Sequence, residues 1–269
     1  MTRTLLEGGN TMTVVPQAAG RFQIGKVLSD TFAVTGRNVG LWVGLALIFS
    51  AVPGIILQLL ILQPLSGGLT DPQAAADPAL MMANPWVPAL GGLISFVLAL
   101  LLQSALIRAT IEDLSGKRPV MGDCISTAIS VLLPALGIAI LVGLGVMVGL
   151  TLLIVPGIIL FLRWCVAVPV LVQERQGVLA SMGRSAALTQ GNRWALFGLF
   201  LIVVIILIVA QFIVGLVVAL FGGMLALILG LVVQSILSTI FSTATAVSYV
   251  SLREAKEGTS VQELAQIFA

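Results

Sequence analysis

With 269 residues, 59% hydrophobic and 9% charged, the chain lies far from a soluble domain, in which about a quarter of residues are charged. A net charge of +2 excludes an electrostatic nucleic-acid binder, and the absence of histidine removes the commonest general base and every histidine-bearing metal site. Several apolar runs exceed the roughly 18 residues of a membrane-spanning helix and do not alternate as barrel strands would, so the class is an all-α polytopic membrane protein.

Residues 1–20 read as a disordered tail without a signal-peptide pattern. From Arg21 to Asn38 an amphipathic helix is expected, with Ile24, Val27, Leu28, Thr31 and Phe32 on one side and Lys26, Asp30 and Arg37 opposite. It is too polar to span and should lie along the membrane surface. The first span is about Val39 to Leu62, with a kink at Pro53-Gly54, and a loop without Lys or Arg runs from Gln63 to Pro88. The second span, about Ala89 to Ile111, leads into a charged connection containing Arg108, Glu112, Asp113, Lys117 and Arg118.

A second amphipathic segment follows Pro119, with Met121, Cys124, Ile125 and Ala128 on its apolar side and Asp123, Ser126 and Ser130 opposite. The third span, about Leu132 to Leu153, is expected to reverse at Val155-Pro156-Gly157 into a fourth, about Ile158 to Val172. The third amphipathic segment, Gly177 to Gly191, places Val178, Leu179, Met182 and Ala186 on one side, with Arg184 away from them. The fifth span, about Trp194 to Leu220, turns at Gly222-Gly223 into the sixth, about Leu225 to Leu252. The two cysteines, Cys124 and Cys165, have no metal-ligand spacing and read as small apolar residues; no cofactor is expected.

The architecture is therefore six transmembrane helices as three helical hairpins, each preceded by an amphipathic surface helix, over residues 21–254 with a cytoplasmic tail at 255–269. Internal similarity supports repeat-like units at about 21–116, 117–176 and 177–254. A shift of 154 superposes Thr35 on Thr189, Asn38 on Asn192 and Gly44 on Gly198; a weaker shift of 93 superposes Gly44 on Gly137. Lys and Arg precede span one, separate spans two from three and four from five, and follow span six, with Arg163 alone left over. The positive-inside rule then puts both termini and the three surface helices in the cytoplasm.

The segments Gly25-Lys26-Val27-Leu28-Ser29-Asp30-Thr31-Phe32, Val155-Pro156-Gly157-Ile158-Ile159, Arg163-Trp164, Pro169 to Glu174 and Arg184-Ser185 through Thr189 and Gly191-Asn192-Arg193-Trp194 carry a family pattern. In them the chain resembles the bacterial membrane-domain family named after glycerophosphoryl diester phosphodiesterases, from about Arg21 to Glu254. The resemblance implies a stand-alone membrane domain of the bacterial inner membrane. The soluble catalytic barrel that some members carry uses histidines and metal-binding carboxylates. This chain has neither a barrel nor a histidine, so no enzymatic activity is expected.

Arg163, Trp164, Arg184 and Arg193 are the candidate contacts for an anion or lipid. Pro156, Gly157, Pro169, Glu174, Ser185, Thr189, Gly191 and Asn192 are expected to shape the motif, with Gly191 supplying a left-handed turn that ends the surface helix. A charge inside a span should face the bundle or a wet cavity. Arg163 either holds a lipid phosphate or another anion, or has a structural role, snorkelling outward or bonding carbonyls freed by Pro156 and Pro169. The structural role is preferred, because no acidic partner lies within a span. Span six carries Ser235, Ser238, Thr239, Ser242, Thr243, Thr245 and Ser248, a stripe that glues helices or lines a path.

The leading function is a non-enzymatic integral inner-membrane protein that contacts or organises lipid, or serves a membrane partner, through its cytoplasmic helices. Membrane lipids are the expected partners, a second protein or a second copy of the chain further candidates, and nucleic acid is excluded. The alternative is a transporter or channel for a small or lipid-like substrate using Arg163 and the Ser/Thr-rich sixth helix. Orientation is testable directly: on intact cells an impermeant thiol reagent should label Ala75→Cys and spare Ala187→Cys, and the opposite pattern would reverse the topology.

Overall fold

A computed structural model of the chain describes residues 22–57, 85–221 and 223–257. The predicted N-terminal tail, Arg21, the end of span one, most of the loop after it, Gly222 and the last twelve residues lie outside the described residues. Among the described residues the regular structure is helical: α1 (Ile24–Arg37), α2 (Val39–Ala46), a π-helical turn (Leu47–Ala51), α3 (Val52–Leu57), α4 (Trp86–Leu114), α5 (Met121–Leu152), α6 (Ile154–Trp164), α7 (Ala167–Glu174), α8 (Val178–Thr189), α9 (Arg193–Phe221) and α10 (Gly223–Glu257). Six stretches are long and apolar enough to cross a membrane: Val39–Leu57, Ala89–Leu114, Met121–Leu152, Ile154–Glu174, Arg193–Leu216 and Val232–Glu257. The chain is a multi-pass, all-helical membrane protein.

Prolines punctuate these helices. A proline has no amide hydrogen for the carbonyl four residues back, and its ring crowds that carbonyl. Pro156 thereby ends α5 at Leu152, and Leu153 turns extended, with φ −162° and ψ 145°. The reversal falls at Leu153, earlier than the expected Val155-Pro156-Gly157, because a proline is tolerated in the first turn of a helix, where the amides have no partner. Pro156 is the third residue of α6. Pro169 does the same four residues after Cys165: α6 ends at Trp164 and α7 begins at Ala167, so the expected fourth span is two helices. Just before Pro53 the Val52 amide reaches the Leu47 carbonyl five residues back, giving a π turn where a kink was expected.

Glycines set how close the helices come. A Cβ added to Gly149 would lie 2.8 Å from the Gly157 Cα, and one added to Gly157 would lie 2.8 Å from the Leu150 amide nitrogen. α6 therefore folds back along α5 almost backbone to backbone, and further on Trp164 covers Gly145. Gly44, Gly137 and Gly198, the three that the repeat offsets superpose, share another feature. Each lies under the first residue of a helix expected to be amphipathic. Added Cβ atoms would meet Met121 of α5 at 2.5 Å, Val178 of α8 at 3.1 Å and Ile24 of α1 at 3.3 Å, respectively. The contacts run in a cycle: α5 onto α2, α8 onto α5, α1 onto α9.

Packing is uneven along the bundle. Ile107, Val131, Leu171, Leu196 and Leu252 share one core at the end that carries the charged residues. Towards the other end Leu93, Leu144, Ile205, Ile208 and Phe212 are exposed. α10 shows the same gradient: its stretch Val232–Glu257 is the least apolar of the six, with a mean hydropathy of 1.3, and the most enclosed, 72% buried. Where water lies outside, a fully buried leucine such as Leu252 contributes about 1.5–3 kcal/mol.

The three expected amphipathic faces fare differently. On α5 Cys124 and Ala128 are buried while Asp123 and Ser126 are exposed, as the pattern predicts. On α1 Val27, Thr31 and Val34 are buried, but Phe32 points outward at 49% exposure. On α8 the buried residues are Ser181, Met182, Ser185, Leu188 and Thr189, whereas Leu179 is 75% exposed. The small serines let α8 come close to its neighbours, which the large Leu179 would prevent. Gly157→Leu should thrust a side chain into the Leu150 backbone and cost about 1–3 kcal/mol, lowering the thermal midpoint in detergent. Gly183→Ala, where a Cβ meets open space, should leave the midpoint unchanged or raise it.

Candidate functional site

The carboxylate of Glu174 ties three helices together at the charged end. α7 terminates there because Arg175 adopts a left-handed conformation, φ 50°, the sole positive φ of a non-glycine among the described residues. That conformation costs about 1–2 kcal/mol for an L-residue and turns the chain sharply into α8. Glu174 Oε1 accepts hydrogen bonds from the Tyr249 hydroxyl of α10 at 3.0 Å and from Arg184 Nε of α8 at 3.2 Å. Its Oε2 accepts from Gln176 Nε2 at 3.0 Å. Arg184 also pairs with Glu257, whose second oxygen accepts from Arg253 Nε at 2.9 Å. The hydrogen bond to Glu257 pushes the Arg184 pKa up, so Arg184 is a fixed cation already spent inside the protein.

The same economy holds around the rest of this end. Lys26 meets Glu254 at 3.3 Å, and Arg108 meets Glu112 at 2.7 Å. Asp113 takes Arg37 and the Asn38 amide, each at 2.6 Å. Among the described residues no hydrogen bond, ion pair or ring contact joins the side chains of Arg163, Trp164, Arg184 and Arg193. Arg193 is half-buried at the start of α9, its Nε without a hydrogen-bond partner among the described residues. Trp194 beside it is 86% exposed and lies edge-on to Phe197. Gly191 has φ +89°, the left-handed turn expected of it, and the Asn192 amide closes the turn on the Thr189 carbonyl at 3.1 Å.

Arg163 departs from the expectation that it faces the bundle or a wet cavity, and takes the outward direction of a snorkelling side chain. Its side chain is exposed and makes no hydrogen bond or ion pair among the described residues, so it faces neither the bundle nor an enclosed cavity. Gly157, Leu162 and Trp164 occupy the packed side of α6, leaving Val155, Ile159 and Arg163, spaced four apart, on the outside. Nor does its guanidinium brace a freed carbonyl. The bracing is done to Arg163 rather than by it: the Ser185 hydroxyl donates to the Arg163 carbonyl at 2.9 Å, across the break that Pro169 makes.

Trp164 instead helps enclose a cavity of about 300 Å³ together with Phe161, Phe200, Phe241, Gln103 and Thr245. Three of these rings touch in series, Phe161 edge-on to Phe200 at 5.6 Å and Phe200 tilted against Phe241 at 5.9 Å between centroids. The Thr245 hydroxyl is taken by the Phe241 carbonyl at 2.7 Å, and Cys165 donates to the Leu162 carbonyl. That leaves the Gln103 amide and the Trp164 indole N–H as the cavity's side-chain hydrogen-bonding groups without a partner among the described residues. The groups present suit a mainly apolar occupant with a few polar contacts. Among the described residues no three His, Cys, Asp or Glu side chains are placed to hold a metal ion.

No family model, curated protein or solved structure matches the chain. Tyr249 was the functional-site residue that sequence reasoning passed over. Its signal is that it is the one tyrosine in the chain, set on the last apolar turn before a charged run. Tyr249→Phe should cost about 1 kcal/mol, whereas Glu174→Ala strands both its hydroxyl and a share of the Arg184 charge and should cost about 1–3 kcal/mol. Thermal unfolding of the single and double variants should show the two losses to be less than additive, because they break one network.

Proposed function

We propose that the chain is a non-enzymatic integral membrane protein that holds anionic phospholipid against its outer surface through Arg163. The observation that carries this reading is an exposed guanidinium, unpartnered among the described residues, inside a stretch long and apolar enough to cross a membrane. A bare charge at the centre of a span costs about 2.5–3.5 kcal/mol on insertion scales, so its surroundings must solvate it. A phosphate does this well, since the planar guanidinium offers it a two-pronged donor set. Arg184, by contrast, is withdrawn from the lipid-contact set by its two carboxylate partners.

The finer architecture belongs to the same proposal. Six membrane helices pair as three hairpins, each led by an amphipathic helix, in the inner membrane with both termini cytoplasmic. The placement of Lys and Arg supports that orientation, and the cyclic contacts at Gly44, Gly137 and Gly198 support the threefold repeat. Membership of the phosphodiesterase-associated membrane-domain family rests on the segments from Gly25 to Phe32 and between Val155 and Trp194 that carry the resemblance. Contact with a protein partner or a second copy of the chain stays within this reading.

A transporter or channel is the second reading, and the cavity beside Gln103 and Thr245 favours it. Arg163 does not line that cavity, so a transport path would run without its charge. Native mass spectrometry and thermal unfolding on Arg163→Leu and Arg163→Lys test the lipid reading. Leucine should abolish retention of one anionic phospholipid and leave the unfolding midpoint within about 0.5 kcal/mol of the parent, as for a surface change, with lysine intermediate in retention. A destabilised Arg163→Leu protein that keeps the same lipids would overturn the reading.

A further inference from the structure

We infer that the cavity lined by Gln103 and Trp164 binds a neutral quinone-type head group, a planar two-ring molecule with two carbonyls, drawn from the surrounding lipid. Gln103 carries the inference. It sits in the second span between Leu102 and Ser104, half-buried, and lines the cavity without a hydrogen-bond partner among the described residues. An amide taken out of water with nothing to bond is costly, and a glutamine inside a membrane helix ordinarily bonds across to a neighbouring helix. Here the nearby donors are already engaged, Thr245 with the Phe241 carbonyl and Cys165 with the Leu162 carbonyl.

A second donor comes from another helix. The Cζ3 edge of the Trp164 ring lies against Gly145, 2.7 Å from an added Cβ, which turns the opposite edge with its Nε1 away from α5. That N–H also has no partner among the described residues, and an indole can only donate. Donors on α4 and α6 call for a ligand with two acceptors. A bare acyl chain would leave both donors unpaired. A carboxylate or phosphate fits no better, because no cation lines the cavity among the described residues and an unpaired buried charge costs more than an unpaired dipole. A neutral dicarbonyl meets both demands.

Size and shape narrow the class further. An apolar cavity of about 150 Å³ admits one benzene ring, and this one, at about 300 Å³, has room for two. Its walls include four aromatic side chains, Phe161, Trp164, Phe200 and Phe241, whose faces and edges suit a flat ring. Gly143 of α5 lines the cavity and is itself exposed, so the cavity opens beside it. Gly143 lies midway along the expected third span, and the opening therefore gives onto lipid and not onto water. A long apolar tail on the head group would leave by that opening and stay among acyl chains. Arg163 does not line the cavity, so the inference needs no lipid there.

The test is equilibrium binding to the full-length protein in lipid nanodiscs, with empty discs as the blank. One probe is dimethylnaphthoquinone, methylated at both free positions of the quinone ring so that the Cys165 thiol cannot add to it. The other is dimethylnaphthalene, the same two rings without carbonyls. The quinone should bind beyond the blank, about tenfold more tightly than the hydrocarbon, because the hydrocarbon leaves buried donors unpaired. Gln103→Leu should cut quinone affinity about tenfold and leave hydrocarbon affinity within about twofold, and Trp164→Phe should likewise weaken the quinone. Gly143→Leu, where an added Cβ meets nothing within 4 Å, should obstruct the opening and weaken both probes at an unchanged thermal midpoint. The comparison of probes on the unmutated chain stands whether or not the variants fold. Equal binding of the two probes by that chain, no quinone bound beyond the blank, tighter binding of undecane, or undiminished quinone affinity in a folded Gln103→Leu protein would each overturn the inference.

Discussion

Two missing amide hydrogens, at Pro156 and Pro169, shape the middle of this protein. Without them the run from Met121 to Glu174 would continue as one helix too long for any bilayer. Pro156 cuts it at Leu152 and Pro169 cuts it again after Trp164. Every other feature of the region answers a problem those cuts create. Gly149 and Gly157 let the returning helix lie close enough to pack. Ser185 covers the carbonyl exposed at the second break, which draws α8 against α6. The short α7 then delivers Glu174 to Tyr249 and Arg184, and that junction fastens α7, α8 and α10. A backbone constraint has become a side-chain network.

Much of this was legible in the sequence. Apolar length identified the membrane segments, and Gly191 announced its left-handed turn. The face of α5 around Cys124 and Ala128 was read correctly because its opposite side carries Asp123 and two serines. On α8 the pattern grouped Leu179 with Met182, yet Met182 is buried and Leu179 exposed, while Ser181 and Ser185 take inward positions, where small side chains admit close approach. Of the readings open for Arg163, the inward-facing ones fail and the outward one agrees with its exposure, because a long side chain can carry its charge along the outside of a helix.

The salt bridges deserve modest weight in the energetics. Lys26 with Glu254 and Arg37 with Asp113 involve cations more than half exposed, and such pairs contribute about 0–1 kcal/mol. Glu174 differs, because its carboxylate is 15% exposed and accepts from two separate helices. Removing it would leave a phenol and a guanidinium to find new partners within the protein, so that one acid matters more than the more numerous surface pairs.

The cycle of contacts at Gly44, Gly137 and Gly198 bears on covalent connectivity. Ile24 rests on Gly198 as Val178 rests on Gly137, and Lys26 meets Glu254, so the first and last described helices are neighbours in the same sense as helices adjacent in the chain. A closed ring of this kind has no privileged starting point. Its interfaces, rather than the order in which the ribosome supplies them, hold the shape. A circularly permuted chain, opened in one inter-unit link and joined across the α1–α10 seam, would keep every non-covalent contact and exchange one short tether for another, at a cost set by loop-closure entropy that grows only slowly with length.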